Sequence, residues 1–104
     1  MNLRVFSGGG DFAYAEISSR SLPYHNRLFV PLILPNASSE SILQDLDEST
    51  KIPVYFEGKR YLACFLLVTN LNVQQHNLKP VGILEEEDSR NILNHHLDYL
   101  AYRD

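Results

Sequence analysis

Ile52-Pro53-Val54-Tyr55-Phe56-Glu57-Gly58-Lys59-Arg60-Tyr61-Leu62-Ala63-Cys64-Phe65-Leu66-Leu67-Val68-Thr69 is the stretch on which the fold class turns. A mixed apolar and aromatic run stops at the turn signal Glu57-Gly58-Lys59 and resumes at once, the pattern of a β-hairpin. From Tyr61 to Thr69 both faces are apolar, so this second strand is expected at the centre of a sheet or barrel.

Upstream, Leu28 to Leu34 is a dense apolar run ended by Pro35-Asn36. Pro31 lacks an N–H, so that strand is expected at a sheet edge or with a bulge. Phe12 to Ile17 alternates, with Phe12, Tyr14 and Glu16 on one face and Ala13, Ala15 and Ile17 on the other. It reads as the return strand of a hairpin from Leu3–Phe6, turned through Ser7–Asp11 with its three glycines. Ser18 to Arg27 is polar, contains Pro23 and reads as an irregular excursion. Ser38 to Glu48 fits either a short surface helix or a folded loop.

Downstream, one more strand is expected within Leu78–Leu84, interrupted by Pro80 and Gly82. The period then changes. Glu85-Glu86-Glu87-Asp88 places acids where a helix macrodipole favours them, and Leu93, Leu97 and Leu100 form an apolar stripe widened by Ile92, His96 and Tyr99. The expectation is five or six short strands followed by one helix: a mainly β, strongly bent antiparallel sheet or barrel with a C-terminal α-helix, in one domain over residues 1–104.

The 104 residues include 9 Lys+Arg and 13 Asp+Glu, a net charge of −4 that disfavours a protein living on phosphate backbones. A chain of this size buries roughly 60–70% of its unfolded surface, which makes a partner subunit a plausible source of stability. The single cysteine, Cys64, cannot form an intramolecular disulfide, which fits a reducing cytoplasm. The apolar run at the N-terminus is too short for a signal peptide, and Tyr61–Val68 is far below the ~20 residues that span a bilayer. A soluble protein is expected.

Few residues announce chemistry. His95 and His96 are adjacent and point about 100° apart on a helix, so they cannot share one metal. The glycine triplet lacks the Gly-Lys-Ser/Thr continuation of a phosphate loop and reads as a hairpin tip. Glu85–Asp88 reads as a solvated, dipole-matched cap rather than a cation site. Cys64 lies in the most apolar segment, where burial raises a thiol pKa. No catalytic residue, metal or cofactor is expected, and the chain reads as a non-enzyme.

End to end, the layout resembles the CcdB family of toxins. Leu3-Arg4-Val5-Phe6 looks like that family's opening strand, and Glu16-Ile17-Ser18-Ser19 is similar to its Asp-Val-Gln-Ser segment. Arg27-Leu28-Phe29-Val30-Pro31-Leu32 resembles Arg-Leu-Val-Ile-Pro-Leu, the most specific piece. Ile52-Pro53-Val54 looks like the start of the next hairpin, and Leu97-Asp98-Tyr99-Leu100 is similar to the Ile-Asp-Phe-Leu of the closing helix. The resemblance runs from residue 3 to 104.

It implies an SH3-like barrel, a homodimer, and a toxin that binds the DNA gyrase A subunit, traps its cleavage complex with DNA and is neutralised by a CcdA-like antitoxin. Carried over by position, the gyrase-binding residues are Ser19, Leu22, Asp98, Tyr102, Arg103 and Asp104, and the helix contacts across the dimer axis are Leu100 and Ala101. The family's tip is an aromatic or Thr followed by Gly-Ile; here it is Tyr102-Arg103-Asp104. Two other readings stay open: a related interaction module with lost or altered gyrase affinity, and an endoribonuclease like the MazF and Kid toxins of the same barrel. The second would need a basic, partly buried acid–base cluster.

Overall fold

The computed structural model describes residues 2–8, 12–17, 26–36 and 38–101. Its strands are β1 (Arg4–Ser7), β2 (Phe12–Glu16), β3 (Asn26–Ile33), β4 (Lys51–Phe56), β5 (Lys59–Cys64), β6 (Thr69–Asn72) and β7 (Lys79–Ile83). A short helix α1 (Glu40–Gln44) follows β3, and the long helix α2 (Glu86–Ala101) closes the fold. The strands form one antiparallel sheet in the order β4-β5-β3-β2-β1-β7, with β6 also pairing β3. The sheet curls into a half-barrel of the small SH3-like kind, as the mainly β reading expected.

Side-chain alternation sends each strand's two faces to different cores. Ala13, Ala15 and Ile17 of the β2 segment face the concave side, where Val5, Val30, Leu32, Val54 and Ala63 meet Leu84 and Ile92. The opposite face is covered twice. At one end Phe6, Phe29 and Leu78 pack with Tyr14, and at the other Ile33, Leu43 and Cys64 pack with Phe12. Phe6 and Tyr14 both meet the Phe29 ring edge-on, with centroids 5.4 and 6.0 Å away.

The β4–β5 hairpin turns at Glu57 and Gly58, both at positive φ (51° and 76°), as a two-residue type I′ turn requires. The expectation for β3 is corrected. It is the central strand, paired with β2 on one side and with β5 and β6 on the other. The Ile17 N–H donates to the Leu28 carbonyl at 3.0 Å, and alternation from that pair makes Tyr14–Pro31 a non-hydrogen-bonded pair. The nitrogen of Pro31 therefore faces away from β2. On that side β5 has ended at Cys64, and a 3-10 turn over Phe65–Leu67 precedes β6. The break needed to accommodate the proline lies in the neighbouring strand.

The same turn corrects the reading of Tyr61–Thr69 as one strand, since β5 and β6 divide it. Asn26 and Arg27 likewise belong to β3 rather than to the preceding excursion, whose residues 18–25 lie outside the described residues. The expected turn at Ser7–Asp11 is outside them from Gly9 onward. In the segment left open between helix and loop, α1 forms one short turn of helix, and a 3-10 turn follows at Glu48–Thr50. The interruption foreseen in Leu78–Leu84 is a register shift between Val5 and Phe6 in the β1–β7 pairing. Among the described residues, no helix is long and apolar enough to cross a membrane.

Candidate functional site: the closing helix and the open edges of the sheet

Helix α2 is fastened at its N-terminal half. Ser89 is fully buried, and its Oγ accepts a hydrogen bond from the Leu3 N–H at 2.9 Å. Asp88 Oδ2 accepts one from the Tyr55 N–H at 3.0 Å. Ile92 is buried in the main core, a contribution of about 1.5–3 kcal/mol for such a side chain. Asp88 is thus more than the solvated cap expected from the acidic run, because its carboxylate reaches across to the sheet.

Further along α2, the His95 ring stacks on Phe65 at 5.4 Å, with its Nδ1 2.9 Å from the Asn91 carbonyl oxygen. His96 Nδ1 is enclosed and has no hydrogen-bond partner among the described residues. Burial lowers the pKa of that imidazole, because the charged form is the one that loses hydration. Past it the helix continues through Asp98, Leu100 and Ala101, three of the predicted contact residues, which occupy its last turn. Tyr102, Arg103, Asp104, Ser19 and Leu22 lie outside the described residues.

The acid–base candidates are dispersed. Cys64 is buried, and loss of hydration pushes its thiol up to about 11 although Lys51 nearby acts in the opposite sense. Among the described residues, no three His, Cys, Asp or Glu side chains converge as a metal ion would need.

Two features escaped the sequence reading. Glu16 is a buried carboxylate, its side chain only 5% exposed, clamped by two arginines. Arg4 Nη2 donates to Oε1 at 3.1 Å and to Oε2 at 3.3 Å, and Arg27 Nη1 donates to Oε2 at 2.9 Å. Both guanidiniums also lie near the Phe6 ring, 5.3 and 6.0 Å from its centroid. The signal in sequence was the interruption of apolar positions by Arg4, Glu16 and Arg27, which sit on three different strands.

The second feature is the gap between the two outer strands. β4 and β7 end the sheet, and between them lies a cleft of about 470 Å³ whose wall includes Tyr55, Glu57, Ile83 and Glu85. A Cβ added at Gly82 would come within 2.9 Å of the tip of the Phe56 ring, so glycine leaves the room that ring occupies.

Both edges are guarded. Phe56 and Lys59 pair across the two-residue turn, so the main-chain groups of Tyr55, Pro53 and Lys51 point outward from β4. The Tyr55 N–H is taken by Asp88, Pro53 has none, and the Lys51 N–H donates to the Glu48 carbonyl. β7 carries Pro80 and the register shift. Prolines, a bulge and a capping carboxylate are the devices that keep an edge from recruiting another strand.

In comparisons with known proteins, no family model, curated protein or solved structure matches this chain.

Proposed function

We propose that this protein is the toxin of a type II toxin–antitoxin pair, a cytoplasmic homodimer that binds the DNA gyrase A subunit through the end of α2 and is neutralised by a CcdA-like antitoxin. The observation that carries the reading is the pairing of the resemblance with the architecture. The most specific resembling segment, Arg27 to Leu32, lies in the central strand β3, and the closing helix runs unbroken to Ala101. The helix is held at its N-terminal half by Ser89, Asp88 and Ile92, and its far end leads directly into residues 102–104.

In this reading Tyr102 supplies a flat ring for stacking on a partner guanidinium, and Asp104 supplies a carboxylate for pairing with arginines. The function is recognition, with no chemistry performed by the protein itself. A second reading, an interaction module with reduced gyrase affinity, is favoured by Arg103 and Asp104 standing where the resembling family has Gly and Ile. Growth arrest on induction, compared with a variant lacking residues 102–104 and with Tyr102→Ala, separates them. Arrest that depends on the tail supports the first reading, and equal arrest by all three removes it.

A further inference from the structure

We propose that the cleft between the free edges of β4 and β7 is a receptor for an arginine side chain carried on a protein partner. Strand addition along β4 is blocked, because none of its outward positions has a free N–H to offer. On that side recognition runs through side chains, and those lining the cleft suit one chemistry. Tyr55 and Ile83 are the two most exposed large apolar residues in the described structure, at 58% and 59%. Both wall the cleft, and the charged residues that join them there are Glu57 and Glu85.

An aromatic face, an aliphatic surface and two carboxylates answer the three parts of arginine. The ring accepts the guanidinium plane, the isoleucine covers the methylene stem, and the carboxylates take its N–H donors and balance its charge. The cleft is also built rather than incidental. Gly82 leaves room for the Phe56 ring, and Asp88 holds Tyr55 through its outward backbone N–H. Two glutamates facing one another across a two-fold axis would repel, so a second copy of the same surface fits poorly. The proposal is independent of the gyrase reading, since the cleft adjoins the first turn of α2 and the end of that helix at Ala101 lies about 22 Å away along its axis.

The test is an amide-resolved NMR titration of the whole protein with acetyl-Leu-Arg-Leu-amide, repeated with the citrulline peptide, which keeps the shape and loses the charge. The expected result is saturable shifts centred on Tyr55, Gly58, Gly82 and Ile83, with the citrulline peptide and the double variant Glu57→Gln/Glu85→Gln each weaker by about fivefold or more. Both glutamates are exposed, so the variant is expected to keep the wild-type spectrum elsewhere. Absence of shifts up to about 10 mM peptide, weaker than any specific site is expected to be, overturns the proposal. So do shifts centred elsewhere, or equal binding by the citrulline peptide or the double variant.

Discussion

The side chain of Asp88 and the backbone of Tyr55, 33 positions apart in the chain, are joined by a 3.0 Å hydrogen bond that ties the first turn of α2 to the outer edge of β4. One carboxylate thereby serves the helix macrodipole, satisfies an edge N–H and denies that edge to a foreign strand.

Replacing Asp88 should therefore do more than remove a surface charge. Asp88→Ala is expected to lower stability by about 1–2 kcal/mol, seen as a reduced urea midpoint, while Asp88→Asn, which keeps an acceptor, should lose less than half of that. The Tyr55 amide should exchange with solvent markedly faster in the alanine variant. Unchanged exchange at Tyr55 would contradict the role given to this bond.

Glu16 anchors two strands besides its own. Glu16→Ala leaves Arg4 and Arg27 without their shared acceptor, but their side chains are 50% and 29% exposed and regain water. A loss of about 1–3 kcal/mol is expected, less than for a fully buried pair. Chemical denaturation measures it, and a midpoint equal to wild type would show that the clamp contributes nothing.

Cys64 is held as a neutral thiol. Its pKa, pushed up to about 11 from an ordinary 9.0, means that folding favours the protonated form. The corresponding stability is fully present below pH 9 and is lost as the pH rises toward 11. Alkylation by iodoacetamide near pH 8 should be slow in the native protein and should accelerate on addition of denaturant. Rapid native labelling would contradict this burial.

His96 behaves in the opposite sense. Its lowered pKa means that the unfolded chain binds a proton more readily, so the stability it supplies is complete above the ordinary value of 6.5 and declines as the pH falls below it. An NMR titration of the ring protons should give a midpoint below the ordinary value of 6.5. Because Nδ1 has no partner to lose among the described residues, His96→Leu should cost little and should flatten stability between pH 7 and 5.

Local chemistry made much of this fold legible. Glu57-Gly58-Lys59 marks the hairpin reversal, which the structure makes at Glu57-Gly58, and the alternation from Phe12 to Ile17 names the correct face for every residue because both sides of the sheet are packed. The acid run followed by leucines gives α2 to within a residue of its start. Pro31 misleads because its missing donor is accommodated by a gap in a strand more than 30 residues away, which no local pattern encodes. Tyr61–Thr69 misleads because a nearly continuous apolar run hides the 3-10 turn at Phe65–Leu67 that divides β5 from β6.

The site divides in the same way. Asp98, Leu100 and Ala101 come from the family resemblance, and they share the last turn of α2, whereas the Glu16 clamp and the β4–β7 cleft exist only once the sheet has curled. Burial of a charge or convergence of two edges is a property of register and curvature rather than of neighbours in sequence.

The central claim, that the end of α2 acts on gyrase, is tested most directly by assaying DNA cleavage and supercoiling with purified gyrase in the presence of the intact protein and of the variant lacking residues 102–104. The account predicts that the intact protein inhibits supercoiling and accumulates cleaved DNA held by the A subunit, and that removing the three residues abolishes both effects. Intact protein that leaves supercoiling and cleavage unchanged, or a truncated variant that is equally active, would contradict it.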